Sequence, residues 1–313
     1  MLPSSLPTRL IVVGSANVDL CMNLPELPGP GETLGSGVFR QTFGGKGANA
    51  AVAAAQAGGD VALIGCVGQD SNGEAMLANL RAKNVDISHI EKHPTAPTGV
   101  AFIFIDQHAQ NMIGVAAGSN DGVSPERLEA MRGELGRASV ILVQNEVPDK
   151  TVFHLLEMAR EGSWKILYNC APARLVPLPL LAIVEWLILN ESEAAFISGN
   201  GVATLPEAET AARAILQLGV KNVLITLGAE GVWVAQADQC LHVPAYKVKA
   251  VDTVAAGDIF CGALAVACAE GRELADAVRF ASAAAAISVT RPGAQNAAPS
   301  RGEIETLLQV HAT

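Results

Sequence analysis

Aromatic side chains are scarce in this chain, at 4% of 313 residues, which leaves little from which to build an apolar slot for a nucleobase. Basic charge is short as well: 21 Lys and Arg stand against 31 Asp and Glu, a formal net charge of −10. That balance argues against a nucleic-acid or anionic-membrane partner. No apolar run is long enough to cross a bilayer. The best, Leu178 to Leu189, is short, contains Pro179 and Glu185, and reads as core. Met1 to Thr8 carries two prolines and no basic segment leading into an apolar stretch, so it does not look like a signal peptide. The six cysteines, at 21, 66, 170, 240, 261 and 268, form no Cys-x-x-Cys pair and have no His at ligand spacing. Neither a disulfide framework nor a zinc site is expected, and free thiols in a reducing cytoplasm are. With no low-complexity linker and no internal repeat, the expectation is a single domain over residues 1–313.

Half of the residues are hydrophobic and only 17% are charged, a composition that alanine-rich helices and buried parallel strands produce. Arg9 to Val13 is a compact β-branched run ending at Gly14, the profile of a central strand. The segments Asp19–Leu24, Gly35–Phe43, Val100–Asp106 and Asn111–Val115 differ, being short, of mixed polarity and bounded by Gly and Pro. They suit exposed antiparallel strands, with His108 in a hairpin turn, and predict a small sheet covering one face: lid segments at about 17–43 and 98–116. From Ser124 onward, helical stretches (Ser124–Leu135, Lys150–Glu161, Leu205–Leu218) alternate with apolar strands (Val140–Val143, Lys165–Tyr168, Trp186–Leu189, Val223–Thr226). Pro125 after Ser124 starts a helix and Gly219 stops one. This alternation predicts an α/β fold, a central mostly parallel sheet with helices on both faces.

Two glycine-rich loops carry the chemistry. Gly44-Gly45-Lys46-Gly47-Ala48-Asn49-Ala50 precedes an alanine-rich helix at Ala51–Ala57. Read as a G-x-G-x-x-A dinucleotide fingerprint, with Asp70 as the ribose acid, it lacks the continuously apolar strand that should precede it, because Val38–Phe43 alternates. Lys46 is followed by glycine, so it is no Walker A lysine either. The remaining readings are a tight turn with a solvated lysine, or a polar-ligand site in which Lys46, Asn49 and backbone donors converge on hydroxyls.

The second loop is Asp252-Thr253-Val254-Ala255-Ala256-Gly257-Asp258. Small residues at Ala255, Ala256 and Gly257 let an anion approach the main chain where a helix begins. Asp258 could be a mere N-cap. Its company, with Asp252 six residues earlier, then a loop, then only small residues at Ala255 to Gly257, favours a base embedded in an anion nest. A positive helix end would stabilise charge on a transferred phosphoryl group, and a positioned base adds about 10²–10⁴-fold. Gln144-Asn145-Glu146, Asn190-Glu191-Ser192-Glu193 and Gly228-Ala229-Glu230-Gly231 each follow an apolar strand, where open α/β sheets bind ligands and carboxylates can organise magnesium through water. Singly, each could be a solvated helix start.

These motifs, with Gly14-Ser15-Ala16-Asn17-Val18-Asp19, Ile225-Thr226-Leu227-Gly228 and Arg291-Pro292-Gly293-Ala294-Gln295, make the chain resemble the ribokinase-type carbohydrate and purine kinase family from end to end. The resemblance implies a ribokinase-like fold and ATP-dependent phosphorylation of the 5-hydroxyl of D-ribose, giving ribose 5-phosphate and ADP. It implies Asp258 as the base, and backbone groups from Ala255 through Ala256 and Gly257 to Asp258 as the anion hole. Asn17, Asp19, Gly45, Lys46, Asn49 and Glu146 would hold the sugar, with Asp258 beside them. Asn190, Thr226 and Gly228 would face ATP, with Ser282 near the adenine. Glu193 would support Mg²⁺ through water. A K⁺ ion would sit on Asp252 and the carbonyls of Val254, Ser288, Arg291 and Gly293, although Ala297 stands where relatives commonly place a serine. A homodimer through the lid sheet is implied too. Two other readings stay open: a kinase of the same fold acting on 2-deoxyribose or another related sugar or nucleoside, and a non-catalytic sugar-binding regulator. The intact Asp258 loop and the absence of a DNA-binding module count against the regulator.

Overall fold

In a strand buried on both faces, neighbouring side chains enter different cores. In the computed structural model, which describes residues 9–35, 37–108 and 110–311, the first strand does this: Leu10 and Val12 enter one apolar cluster, Ile11 and Val13 another. The expectation about residues 1–8 lies outside the described residues.

The first half of the chain forms β1 (Arg9–Val13), β2 (Asn17–Asn23), β3 (Val38–Gly44), α1 (Lys46–Gln56), β4 (Asp60–Gly68), α2 (Ser71–Ala82), β5 (Ile90–His93), β6 (Gly99–Ile105) and β7 (Asn111–Ala116). There follow α3 (Pro125–Ala130), α4 (Arg132–Leu135), β8 (Ala138–Gln144), α5 (Asp149–Ala159), β9 (Lys165–Asn169), α6 (Leu178–Leu181), β10 (Trp186–Asn190), α7 (Glu191–Ser198) and α8 (Leu205–Leu216). The chain ends with β11 (Asn222–Thr226), β12 (Val232–Gln236), β13 (Cys240–Val243), α9 (Ala256–Ala269), α10 (Leu274–Ser288) and α11 (Arg301–Val310).

Nine strands make the main sheet in the order β13-β12-β11-β10-β9-β8-β1-β4-β5. It is parallel from β5 to β11, and β12 and β13 add an antiparallel edge. One face packs on α1, α2, α9, α10 and α11, the other on α3 to α8. The expected two-faced α/β fold is therefore present. Its helix over Ser124–Leu135 is split at Met131, whose φ of −97° and ψ of 7° are not helical; Gly133 and Gly136 weaken the helix just beyond.

The four mixed-polarity segments form a separate sheet in the order β3-β2-β6-β7. It is not wholly antiparallel as expected: β2 and β6 run parallel, because β6 enters from the same end of the main sheet as β2. Among the described residues no helix is long and apolar enough to cross a membrane.

Candidate active site

The chain leaves β1 for β4 on one side and later returns to β8 on the other. The winding reverses between β1 and β8, and an open α/β sheet carries its ligand crevice at the carboxyl ends of such a pair. Gly14 to Asn17 follow β1 there, and Glu146 follows β8. The Glu146 carboxylate ties them together, accepting from Ser15 Oγ at 2.6 Å and from the Lys46 backbone N–H at 2.9 Å. Gly45 caps α1 with φ of 85°, a conformation glycine adopts without strain. A Cβ on Gly47 would lie 2.6 Å from the Gly14 carbonyl carbon, so α1 can sit this close to β1 only with glycine at 47.

Asp258 faces α1 across this crevice. Its Oδ2 accepts from Asn49 Nδ2 at 2.9 Å, and its Oδ1 lies 3.9 Å from Lys46 Nζ. It is not the helix cap, the plain alternative for this residue. That position belongs to Ala255, at φ of 59°, and Asp258 is the third residue of α9. An alanine held in the left-handed region costs about 1 kcal/mol, and such strained residues cluster at functional sites. The N–H groups of Gly257 and Asp258 have no carbonyl partner among the described residues, as expected of donors at a free helix start.

Electrostatics separate the carboxylates. Burial pushes the Asp258 carboxyl upward against the pull of Lys46 and Asn49, with Glu146 adding to the rise. Lys46 is held above its usual range, chiefly by Asp258. Asp19, on β2, is pushed up to about 7 by burial and by the charges of Glu146 and Asp258. Its proton is thus bound more tightly in the folded than in the unfolded chain, so stability falls as pH rises from about 4 through about 7. Asp19→Asn is expected to stabilise the unliganded protein at pH 8 by up to about 4 kcal/mol, seen as a higher melting temperature, and to leave stability unchanged at pH 4. Calorimetry at the two pH values checks this, and an equal effect at both would refute it. Asn17 stands beside Asp19 with its Oδ1 accepting from Asn120 Nδ2 at 2.6 Å.

A cavity of about 470 Å³ runs up to the start of α9. Thr226, Gly228 and Ser282 line it together with Ala256 and Gly257, while Val232, Ala285 and Val289 are among its apolar walls. The Ser282 hydroxyl is buried without a hydrogen-bond partner among the described residues. Asn190 and Glu193 do not line the cavity. They are joined in a capping box at the start of α7, Asn190 N–H to Glu193 Oε2 and Glu193 N–H to Asn190 Oδ1, both at 2.8 Å. Burial raises the Glu193 carboxyl, against the Asn190 N–H bond and the Lys46 charge, with Asp258 adding to the rise.

Asp252 joins two loops, accepting from Val254 N–H at 3.0 Å and from Gly293 N–H at 2.9 Å. The Ser288 carbonyl accepts from Arg291 N–H, whereas the carbonyls of Val254, Arg291 and Gly293 have no protein donor among the described residues. Ala297 is buried in the next turn.

Three polar residues at the site are given no role by the sequence reading. Ser15 holds Glu146, Asn120 holds Asn17, and Gln295 holds Asn49. Ser15 and Gln295 lie inside motifs already singled out, and Asn120 sits in the polar turn Ser119-Asn120-Asp121-Gly122. Asp70, the candidate ribose acid of the rejected fingerprint, caps α2 and accepts from Gly73 and Thr98.

A family model described as pfkB family carbohydrate kinase matches residues 7–301. The chain belongs to this family. Among pfkB-type relatives, a ribokinase of Haemophilus influenzae is 37% identical over 300 residues, spanning 96% of this chain and 98% of the relative. A deoxyribokinase of Salmonella typhi is 34% identical, spanning 96% and 99%. The solved structure of Arabidopsis thaliana ribokinase complexed with ribose and ATP superposes with a TM-score of 0.91 at 29% identity, over 97% of this chain and 99% of that one.

Proposed function

We propose that this pfkB-family kinase transfers the γ-phosphoryl group of ATP to the 5-hydroxyl of D-ribose, giving ribose 5-phosphate and ADP. One observation carries the reading: the cavity ends on the first residues of α9, where Asp258 meets a crevice lined by polar groups suited to a sugar. Asn17, Asp19, Gly45, Lys46, Asn49 and Glu146 hold the sugar hydroxyls and direct the 5-hydroxyl at Asp258. The Asp258 carboxylate takes the hydroxyl proton as the oxygen bonds to the γ-phosphorus. The bond to the bridging oxygen breaks, and its electron pair leaves with ADP. Backbone groups from Ala255 through Ala256 and Gly257 to Asp258 face the charge on the transferred group, where fixed donors act most strongly. Thr226, Gly228 and Ser282 serve the nucleotide, the unpartnered Ser282 hydroxyl being a ready partner for the adenine. Asn190 is assigned to the nucleotide as well, although it lies outside this cavity with its Oδ1 engaged in the capping box.

The metals fit the donors at hand. Glu193 has one carboxylate oxygen outside the capping box, suited to holding a water of Mg²⁺. Mg²⁺ would neutralise charge on the phosphates. Asp252 and the carbonyls of Val254, Ser288, Arg291 and Gly293 would hold K⁺, with Ala297 contributing no hydroxyl.

ADP release from ATP across pentoses, hexoses and nucleosides tests the substrate. Ribose is expected to give the highest kcat/KM, and a clear preference for 2-deoxyribose would overturn the assignment. No turnover with any sugar would leave the regulator reading.

The small sheet is the proposed lid and dimer face. Val38, Phe39, Phe102, Met112, Ile113 and Val115 are each at least half exposed there, an apolar set a monomer seldom shows. Sedimentation equilibrium is expected to give a dimer, and Phe102→Glu with Phe39→Glu a monomer; a monomeric parent would sink this. Its six free cysteines support a location in the reducing cytoplasm, which cell fractionation checks.

A further inference from the structure

Three side-chain amides run in series behind the proposed base. Asn79 Nδ2, on α2, donates to Gln295 Oε1 at 2.6 Å. Gln295 Nε2 donates to Asn49 Oδ1 at 3.2 Å. Asn49 Nδ2 then donates to Asp258 Oδ2 at 2.9 Å. Such a chain could run in either direction, because an amide has both a donor end and an acceptor end. Two groups that can only accept decide it here. The Gly44 carbonyl takes a second, longer bond from Gln295 Nε2 at 3.4 Å, and the Asp258 carboxylate takes the last bond. Gln295 is 3% exposed, so it cannot trade these partners for water without opening the site.

We infer that Gln295 is a positioning residue for the transfer reaction: it fixes the direction of the Asn49 amide so that Asn49 presents a donor, not an oxygen, to Asp258. The inference rests on the kinase reading and adds a residue that acts through another. Its backbone place gives it a second tie. Gly293, two residues earlier, is bonded to Asp252, so the loop that carries Gln295 is itself pinned to the loop preceding α9. Two independent links thus run from residues 293–295 to the loop and side chain of the base.

The consequence is electrostatic. A donated hydrogen bond favours the ionised carboxylate, and an amide oxygen in its place would favour the protonated acid. Lys46 from α1 acts in the same direction as the Asn49 donor. Glu146 beyond β8, Glu193 on α7, Asp19 on β2 and the Cys261 thiol on the same helix are the other titratable groups around Asp258. With burial and neighbouring acids against the charged form, the Asn49 donor is one of two groups keeping Asp258 able to accept a proton.

The test uses Gln295→Met, which removes both bonds without adding charge, and Gln295→Glu, which keeps the shape but offers Asn49 only lone pairs. The Asp258 carboxyl ¹³C shift is titrated in the unliganded protein, alongside the pH profile of ribose-dependent ADP release. The titration is expected to move to higher pH by about half a unit in Gln295→Met and further in Gln295→Glu. On the acid limb of the profile kcat should fall by about threefold in Gln295→Met and further in Gln295→Glu, while KM for ATP holds, since Gln295 does not line the nucleotide cavity. A folded variant of either kind whose Asp258 titrates like the parent overturns the inference. Failure of the parent to phosphorylate ribose would instead count against the substrate, and the carboxyl titration would still decide the role of Gln295.

Discussion

Asp258→Asn is expected to lower kcat for ribose by about 10²–10⁴-fold, the range a positioned general base contributes, with little change in the dissociation constants of ribose and ATP. The substitution keeps size and shape. An oxygen remains to accept from Asn49, while the group that takes the proton is gone. It also removes a burial penalty. The folded Asp258 carboxyl titrates above its usual value, so the native state loses stability as pH rises from the unfolded carboxyl range through the folded one. The variant should therefore melt at the same temperature as the parent or higher at neutral pH, which separates lost chemistry from lost fold. Single-turnover kinetics with calorimetry measure both. Near-normal turnover would reduce Asp258 to a structural residue of α9.

That residue also shows what the sequence makes legible. The run of small residues before Asp258, and the Lys46 loop before its alanine-rich helix, signal close backbone approach, and both prove to border one crevice. What linear order hides is the direction of side chains. Nothing in the pattern around Asp258 says that its carboxylate faces Asn49, 209 residues away, or that Ala255 takes the cap position of the helix. The same holds for Asn190 and Glu193. Their spacing is legible, yet it describes a capping box equally well as a metal ligand, and the structure shows the box.

At the level of fold, compact strands with clean apolar runs are readable because period and burial agree. Val61–Ile64 in β4 meets the same criteria as β1 and is findable on them, although no expectation above covers it. The parallel pairing of β2 with β6 is not findable that way. Exposed strands of mixed polarity carry no record of their partner, which the crossing of the chain over the main sheet decides. Asn120 and Gln295 are hidden for a different reason. A buried amide is defined by its partners, and here those lie on other elements.

Lys46→Met should produce the second large effect, and it separates the two roles the Lys46 loop could have. If Lys46 were a solvated turn residue, its removal would leave the pH profile of kcat/KM alone. In the structure it is the largest influence that lowers the Asp258 titration. Without that charge the buried carboxyl binds its proton more tightly, and the acid limb of the profile must move to higher pH. A displacement of about one unit gives a roughly tenfold loss of rate below the limb and a smaller loss above it. KM for ribose should rise as well, since the ammonium is a proposed donor to the sugar. Lys46→Arg retains the charge with a different donor geometry. It is expected to keep the limb near its original place while still raising KM. Profiles of kcat/KM from pH 5 to 9 for the parent and both variants read this directly. An acid limb that stays put in Lys46→Met would mean that the 3.9 Å approach of Lys46 to Asp258 does not govern the base.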